Sequence, residues 1–190
     1  MELQLNGKVA LVTGSTQGIG RAAGLTDRAS FLDADLDGWA SLFAVNARAP
    51  FFLMQAAIAD MKKRGERGAI VNILSINDHC GSPELAVYSA SKGALATLTK
   101  NAANAHRFDR IRVNGINVGW TDTPAERVMQ ADTLGNGPGW LDAANASQPF
   151  GRLFSTSDIA NLAVFLLSDA AGPMTGTLVD QEQWVIGANR

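Results

Sequence analysis

Two kinds of apolar run alternate along this chain. Short, β-branched stretches at residues 9–13, 69–74, 111–118 and 176–180 have the pattern of strands buried on both faces. Longer runs with an apolar residue every three or four positions predict helices over 37–63, 88–106 and 157–168. In the first of these, Trp39, Leu42, Phe43 and Val45, then Phe52, Leu53, Ala56 and Ile58, supply broad apolar faces. Pro50 is expected to bend or interrupt it, and Ser155 or Ser157 caps the last helix. Strand–helix alternation predicts an α/β fold on a parallel sheet, with its chemistry at the C-terminal ends of the strands.

Within the second helix, Tyr88 and Lys92 stand four residues apart, which puts phenol and ammonium on one face. A free phenol, with a pKa of about 10, is a poor acid or base at neutral pH. A lysine beside it is expected to favour the phenolate. Ser75, directly after the 69–74 strand, could hold a carbonyl or alcohol oxygen against the tyrosine, completing general acid–base equipment. Near the N-terminus, Lys8-Val9-Ala10-Leu11-Val12 runs into Thr13-Gly14-Ser15-Thr16-Gln17-Gly18-Ile19-Gly20. A buried strand entering a glycine-rich turn outlines a dinucleotide phosphate site, where small residues let the backbone approach the pyrophosphate.

Together these segments resemble the short-chain dehydrogenase/reductase family. The resemblance rests on Thr13-Gly-x-x-x-Gly-Ile-Gly20, Asn46 in Ala44-Val45-Asn46, Ser75, and Tyr88-x-x-x-Lys92. Arg112-Val113-Asn114, Thr123 and Thr175-Gly176 follow in the family's order, and the likeness runs from about residue 5 to 180. It implies a Rossmann-like, doubly wound parallel sheet, with Tyr88 as catalytic acid/base and Ser75 positioning the substrate oxygen. It also implies Lys92 tuning the tyrosine and binding ribose, and Asn46 holding a relay water. The implied cofactor is NAD or NADP, contacted by Gly14, Ser15, Gln17, Gly18, Ile19 and Gly20, by Tyr88 and Lys92, and by Gly119, Thr121 and Thr123. Val118 stands where the family usually has proline. Asp180 is followed by Gln181-Glu182-Gln183-Trp184 rather than a glycine pair.

One departure is larger. After Gly20 the chain reads Arg21-Ala22-Ala23-Gly24, and Ala22-Ala23-Gly24 look like the tail of a turn that ends the family's fourth strand. The second to fourth strands are thus missing across a join near 21–24, a loss of roughly 60 residues. The lost part would hold the adenosine side of the cofactor pocket, including the side chain that selects NAD or NADP. Residues left out because of disorder, a deletion, or a modified fold each account for the join. The first is favoured because the glycine turn has lost its receiving helix and the first strand its neighbours.

Composition adds bounds. With 190 residues, 46% of them hydrophobic, the chain is expected to form a single domain over 1–190, with residues 124–150 as a substrate lid hinged at Gly135-Asn136-Gly137-Pro138-Gly139. A formal charge of −2 gives no reason to expect nucleic-acid binding. No unbroken run of about 18 apolar residues occurs, and Met1-Glu2-Leu3-Gln4-Leu5 lacks a signal-peptide pattern, so neither a membrane span nor export is expected. Lone Cys80 fits a reducing cytoplasm, and His79 and His106, far apart, suggest no metal site. His79 is read as a satisfied loop histidine and His106 as a helix-dipole partner.

The expected activity is interconversion of a secondary alcohol (a sugar or polyol among the candidates) and a ketone. The rival is a truncated, inactive relative serving as a binding or scaffold protein. The family's helix packing implies a homodimer or homotetramer, with Phe51, Phe52 or Met54 partly buried by another chain and Trp184 at a second contact.

Overall fold

The computed structural model describes residues 11–13 and 26–188. Four strands form one parallel sheet in the order β1 (Leu11–Thr13), β2 (Gly68–Ile73), β3 (Ile111–Val118), β4 (Leu178–Gln181). Helices cover both faces, as a doubly wound sheet requires. On one face, α2 (Ala49–Arg64) and α3 (Ala86–His106) bury Met54, Ile58, Met61 and Leu95 against Ile70, Leu74, Ile111 and Val113. On the other, α6 (Thr156–Leu167) sets Ile159, Ala163 and Leu166 on Val71, Ile73 and Ile116. The continuous apolar runs of β2 and β3 follow from this two-sided cover.

β1 pairs directly with β2, Thr13 opposite Asn72, with no strand between them. Among the described residues the sheet therefore shows no second to fourth strands of the full family order, as the sequence suggests. The glycine segment Gly14–Gly20 and the join at 21–24 lie outside the described residues.

The long helical stretch is continuous but not uniform. α1 (Leu36–Phe43), capped by Asp35 accepting from the Gly38 N–H, passes through a wide π turn at Ala44–Arg48 into α2. Pro50 sits in the first turn of α2 and does not break the helix. Its missing N–H cannot serve the carbonyl of Asn46 four residues back, and the widened turn falls there. By length and an 18-residue window of mean hydropathy 1.4, the stretch Leu36–Arg64 is apolar enough to cross a bilayer. Its apolar run is not unbroken, because charged residues are interspersed. Met54, Ile58 and Met61 nonetheless pack on the sheet.

Arg112 crosses from β3 to the C-terminus of α6, donating to the carbonyls of Leu166 (2.7 Å), Leu167 (3.3 Å) and Ser168 (2.9 Å). These are carbonyls that a helix end leaves without internal donors. The N-terminus of α6 carries a reciprocal cap between Ser155 and Asp158, so Ser155 is the cap residue. Residues 124–150 form α4 (Pro124–Val128), a second wide turn at Met129–Thr133 and α5 (Trp140–Ala146), linked through Gly135 and Gly137 at φ 66° and 70°. Trp140 and Ala144 pack with Ala131, Leu141 and Leu153 in a small separate cluster.

Candidate active site

β2 ends at Ile73, and two residues later Ser75 turns the chain into a short 3-10 turn, Ile76–Asp78. Its extended backbone lets Oγ accept from the Asn77 N–H at 3.2 Å, while the Asp78 N–H donates to the Ser75 carbonyl at 2.9 Å. The chain then returns into α3, whose first turn carries Tyr88. The Ser75 side chain acts on the Tyr88 phenol, opposing the rise that burial gives its pKa. One turn on, Lys92 is 1% exposed and reaches the end of β2, donating from Nζ to the Ile73 carbonyl at 3.0 Å. Its Nζ lies 5.8 Å from the centre of the Tyr88 ring.

Asn46 joins from the π turn. It is fully buried, and its Nδ2 donates to Ser91 Oγ at 3.0 Å, while Ser91 Oγ donates to the Tyr88 carbonyl at 2.7 Å. Asn46, Ser75, Tyr88 and Lys92 thus come together from three separated segments. Ser91, inside the Tyr-x-x-x-Lys pattern, was the signal the sequence reading passed over. At i+3 from the tyrosine, it is the hydroxyl that links Asn46 to α3.

The charges do not sit as the sequence suggests. Burial lifts Tyr88 to about 12, and the Ser75 side chain acts in the opposite direction. Burial pulls Lys92 down to about 7, with Asp78 working against it. The expectation that the ammonium draws the tyrosine down is corrected. Loss of solvent opposes the charged form of each group, and Nζ is directed to the Ile73 carbonyl.

The loop after β3 holds the remaining candidates. A Cβ at Gly119 would lie 2.8 Å from Glu182 Oε2 and 3.0 Å from the Gln181 carbonyl, so only glycine fits that approach. Thr121 Oγ1 donates to the Gly119 carbonyl at 2.9 Å, which commits its proton within the loop. Thr123 caps α4, accepting from the Glu126 N–H at 3.1 Å. Beside it opens a cleft of about 610 Å³ lined by Asp122, Arg127, Asn145, Arg152 and Ser155. That cleft does not include Ser75 or Tyr88. A second, of about 380 Å³, lies against the Cys80–Ser82 loop, Ala86 and Ser89, and its lining does not include Tyr88 either.

These residues fit the nicotinamide end of a dinucleotide. Thr13 pairs with Asn72, so the C-terminal end of β1 lies at the same end of the sheet as Ser75. Tyr88, Lys92 and Thr123 would hold the nicotinamide riboside there. Gly14, Ser15, Gln17, Gly18, Ile19 and Gly20 lie outside the described residues.

Comparison with known proteins agrees with this geometry. The family model described as enoyl-(acyl carrier protein) reductase matches residues 5–181. An uncharacterised oxidoreductase of Escherichia coli is 34% identical over 81% of this chain and 58% of its own length. 2-(S)-hydroxypropyl-CoM dehydrogenase 3 of Xanthobacter autotrophicus is 34% identical, over 88% of this chain and 67% of its own. Among solved structures, a candidate 2-deoxy-D-gluconate 3-dehydrogenase from Agrobacterium tumefaciens with bound NADP superposes at TM-score 0.77, with 31% identity over 92% of this chain and 65% of its own. NAD+-bound xylitol dehydrogenase superposes at TM-score 0.77, with 25% identity over 94% of this chain and 69% of its own. The chain spans roughly three-fifths to two-thirds of the length of these proteins, and it belongs to the short-chain dehydrogenase/reductase family.

Proposed function

We propose that this protein is an NAD(P)-dependent oxidoreductase that interconverts a secondary alcohol, in the sugar or polyol range, and its ketone. The observation that carries the reading is the convergence of Ser75, just past the end of β2, with Tyr88 and, one helical turn on, buried Lys92, whose Nζ donates to the Ile73 carbonyl and lies 5.8 Å from the centre of the tyrosine ring. When bound, the nicotinamide supplies the acceptor or donor of hydride. Ser75 holds the substrate oxygen and Tyr88 takes its proton during oxidation or returns one during reduction. Lys92, donating to the Ile73 carbonyl, and Asn46, linked through Ser91 to the Tyr88 carbonyl, hold the tyrosine's helix in place. Relatives named as dehydrogenases of hydroxylated substrates support the substrate class.

The same reading takes the protein as cytoplasmic, free of nucleic acid and membrane, and assembled as a homodimer or homotetramer. Phe51 and Phe52 are 40% and 56% exposed on α2 and would lie in the contact, with Trp184 at a second one. Met54, by contrast, is 2% exposed within one chain, where Asn72 Nδ2 lies 3.2 Å from its Sδ. It fills the core of a single chain and leaves the list of contact residues. Residues 124–150 act as the substrate lid.

The test is a fluorescence titration with NADH and NADPH, followed by turnover of a panel of polyols and secondary alcohols. Failure of both cofactors to bind would favour the scaffold reading, for which the direct β1–β2 pairing is the motivating observation.

A further inference from the structure

The turn that follows Ser75 is clasped to the far edge of the sheet by a polar cluster for which the chemistry above has no use. His79 Nε2 lies 3.0 Å from Asp180 Oδ1 and 3.7 Å from Asp78 Oδ1. Asn117 Nδ2 donates to Asp180 Oδ1 at 2.8 Å and stands 3.3 Å from His79 Nε2. Asp180 is on β4 and Asn117 is its register partner on β3. Asp78 closes the turn whose N–H holds the Ser75 carbonyl. Its side chain is only 5% exposed, and Asp78 Oδ1 and Asn117 Oδ1 are buried without a hydrogen-bond partner.

Two carboxylates converging on one imidazole favour its protonated form. The Asp180 hydrogen bond raises the His79 pKa above its ordinary value, with burial opposing. Burial raises Asp78, whereas in Asp180 the bonds from His79 and Asn117 outweigh burial and lower it. From α3, Lys100 faces both Asp78 and His79, and Lys92 faces Asp78. Because the histidine pKa is raised, the clasp is complete below about pH 6.5 and weakens as pH rises through the raised value.

We propose that His79 is a positioning residue for Ser75. Its protonated imidazole ties the turn Ile76–Asp78 to β4 and so fixes the hydroxyl that meets the substrate oxygen. The inference rests on the reading of Ser75 and Tyr88 as the catalytic pair, and it assigns a role to three side chains, His79, Asn117 and Asp180, that touch no reacting atom.

Steady-state kinetics on the full chain test it, with His79→Ala, His79→Gln, Asp180→Asn and the His79→Ala/Asp180→Asn double variant. Misplacing a catalytic group by an ångström costs up to about a hundredfold, so each single loss should lower kcat/KM by about ten- to a hundredfold. The double variant should be no worse than the singles. His79→Gln, which keeps an N–H donor without a titration, should recover most of the rate and lose the alkaline fall in kcat/KM. Nuclear magnetic resonance supplies a readout free of turnover: the His79 titration should move down in Asp180→Asn, and the amides of Asn77–His79 should exchange faster in His79→Ala. Wild-type kinetics in His79→Ala and Asp180→Asn, additive losses in the double, or an unmoved titration would overturn the proposal. A wild-type chain that binds no cofactor and oxidises no alcohol removes the parent reading instead. The clasp is then decided by amide exchange alone, and unchanged exchange in His79→Ala rejects it.

Discussion

Lys92 Nζ donates to the carbonyl oxygen of Ile73 at 3.0 Å, which ties the middle of α3 to the last residue of β2. The contact places an amine with a pKa of about 7 between the strand end and the tyrosine. It thereby makes the stability of the fold depend on pH in a calculable direction. Unfolded, the lysine keeps its proton to about pH 10.5; folded, it gives it up near 7. The unfolded chain binds more protons in that interval, so stability rises as pH climbs from about 7 toward 10, with a slope of at most about 1.4 kcal/mol per unit. Urea unfolding at pH 7, 8 and 9 should show this rise in the wild type and not in Lys92→Met. Equal slopes in the two proteins would reject it. The raised Tyr88 pKa works with opposite sign, but only above pH 10, outside the window.

Tyr88→Phe keeps the ring and removes the proton. Turnover should fall by about 10²–10⁴, the range for general acid–base catalysis, well beyond any loss of cofactor affinity. Stopped-flow hydride transfer measures both, and near-normal turnover would remove Tyr88 from its role. Ser75→Ala should lower kcat in the same assay and also loosen the turn it caps.

Removing Arg112 should act on stability rather than chemistry. Arg112→Met leaves the carbonyls at the end of α6 without their cationic donor, a loss of about 2–4 kcal/mol by the usual worth of hydrogen bonds to charged groups. Thermal unfolding measures it. A change below about 0.5 kcal/mol, the range of ordinary surface substitutions, would mean that water serves those carbonyls equally well.

Phe52 and Met54 separate assembly from packing, though only two residues apart. Phe52→Glu should lower the mass seen by light scattering without lowering the unfolding midpoint of the separated chains. Met54→Ala should leave association intact and cost about 2–5 kcal/mol, as buried large-to-small changes do. A wild type that is monomeric at micromolar concentration would contradict the proposed contact.

The strands and the long helices were legible because two-sided burial writes continuous apolar runs and helical burial writes a period of three to four. The strand at residues 111–118 is found where the pattern puts it. The Ser75–Tyr88–Lys92 grouping was legible from spacing, since a strand end and the first turn of a helix fix those positions. What was not legible depended on distance in sequence. Nothing local marks Asn117 and Asp180 as partners of His79, because a parallel register made between β3 and β4 brings them together. The direction of the Tyr88 and Lys92 shifts was also out of reach, since it follows from burial and not from the four-residue spacing. Pro50 was expected to bend or interrupt the helix, and the interruption takes the form of the widened turn before it, which absorbs the missing bond and lets the helix continue.

Gly115 stands at the centre of β3, where a Cβ would lie 2.6 Å from Leu74 Cδ1 and 2.8 Å from Leu178 Cδ2. The middle strand therefore offers no side chain at that level, and leucines from the strands on either side fill the space above it. Leu74 immediately precedes Ser75, and Leu178 lies two residues before Asp180. The outer edge of the sheet and the serine are consequently joined underneath by packing as well as above by charge. A force applied along β4 reaches Ser75 through apolar contact that neither salt nor pH can uncouple.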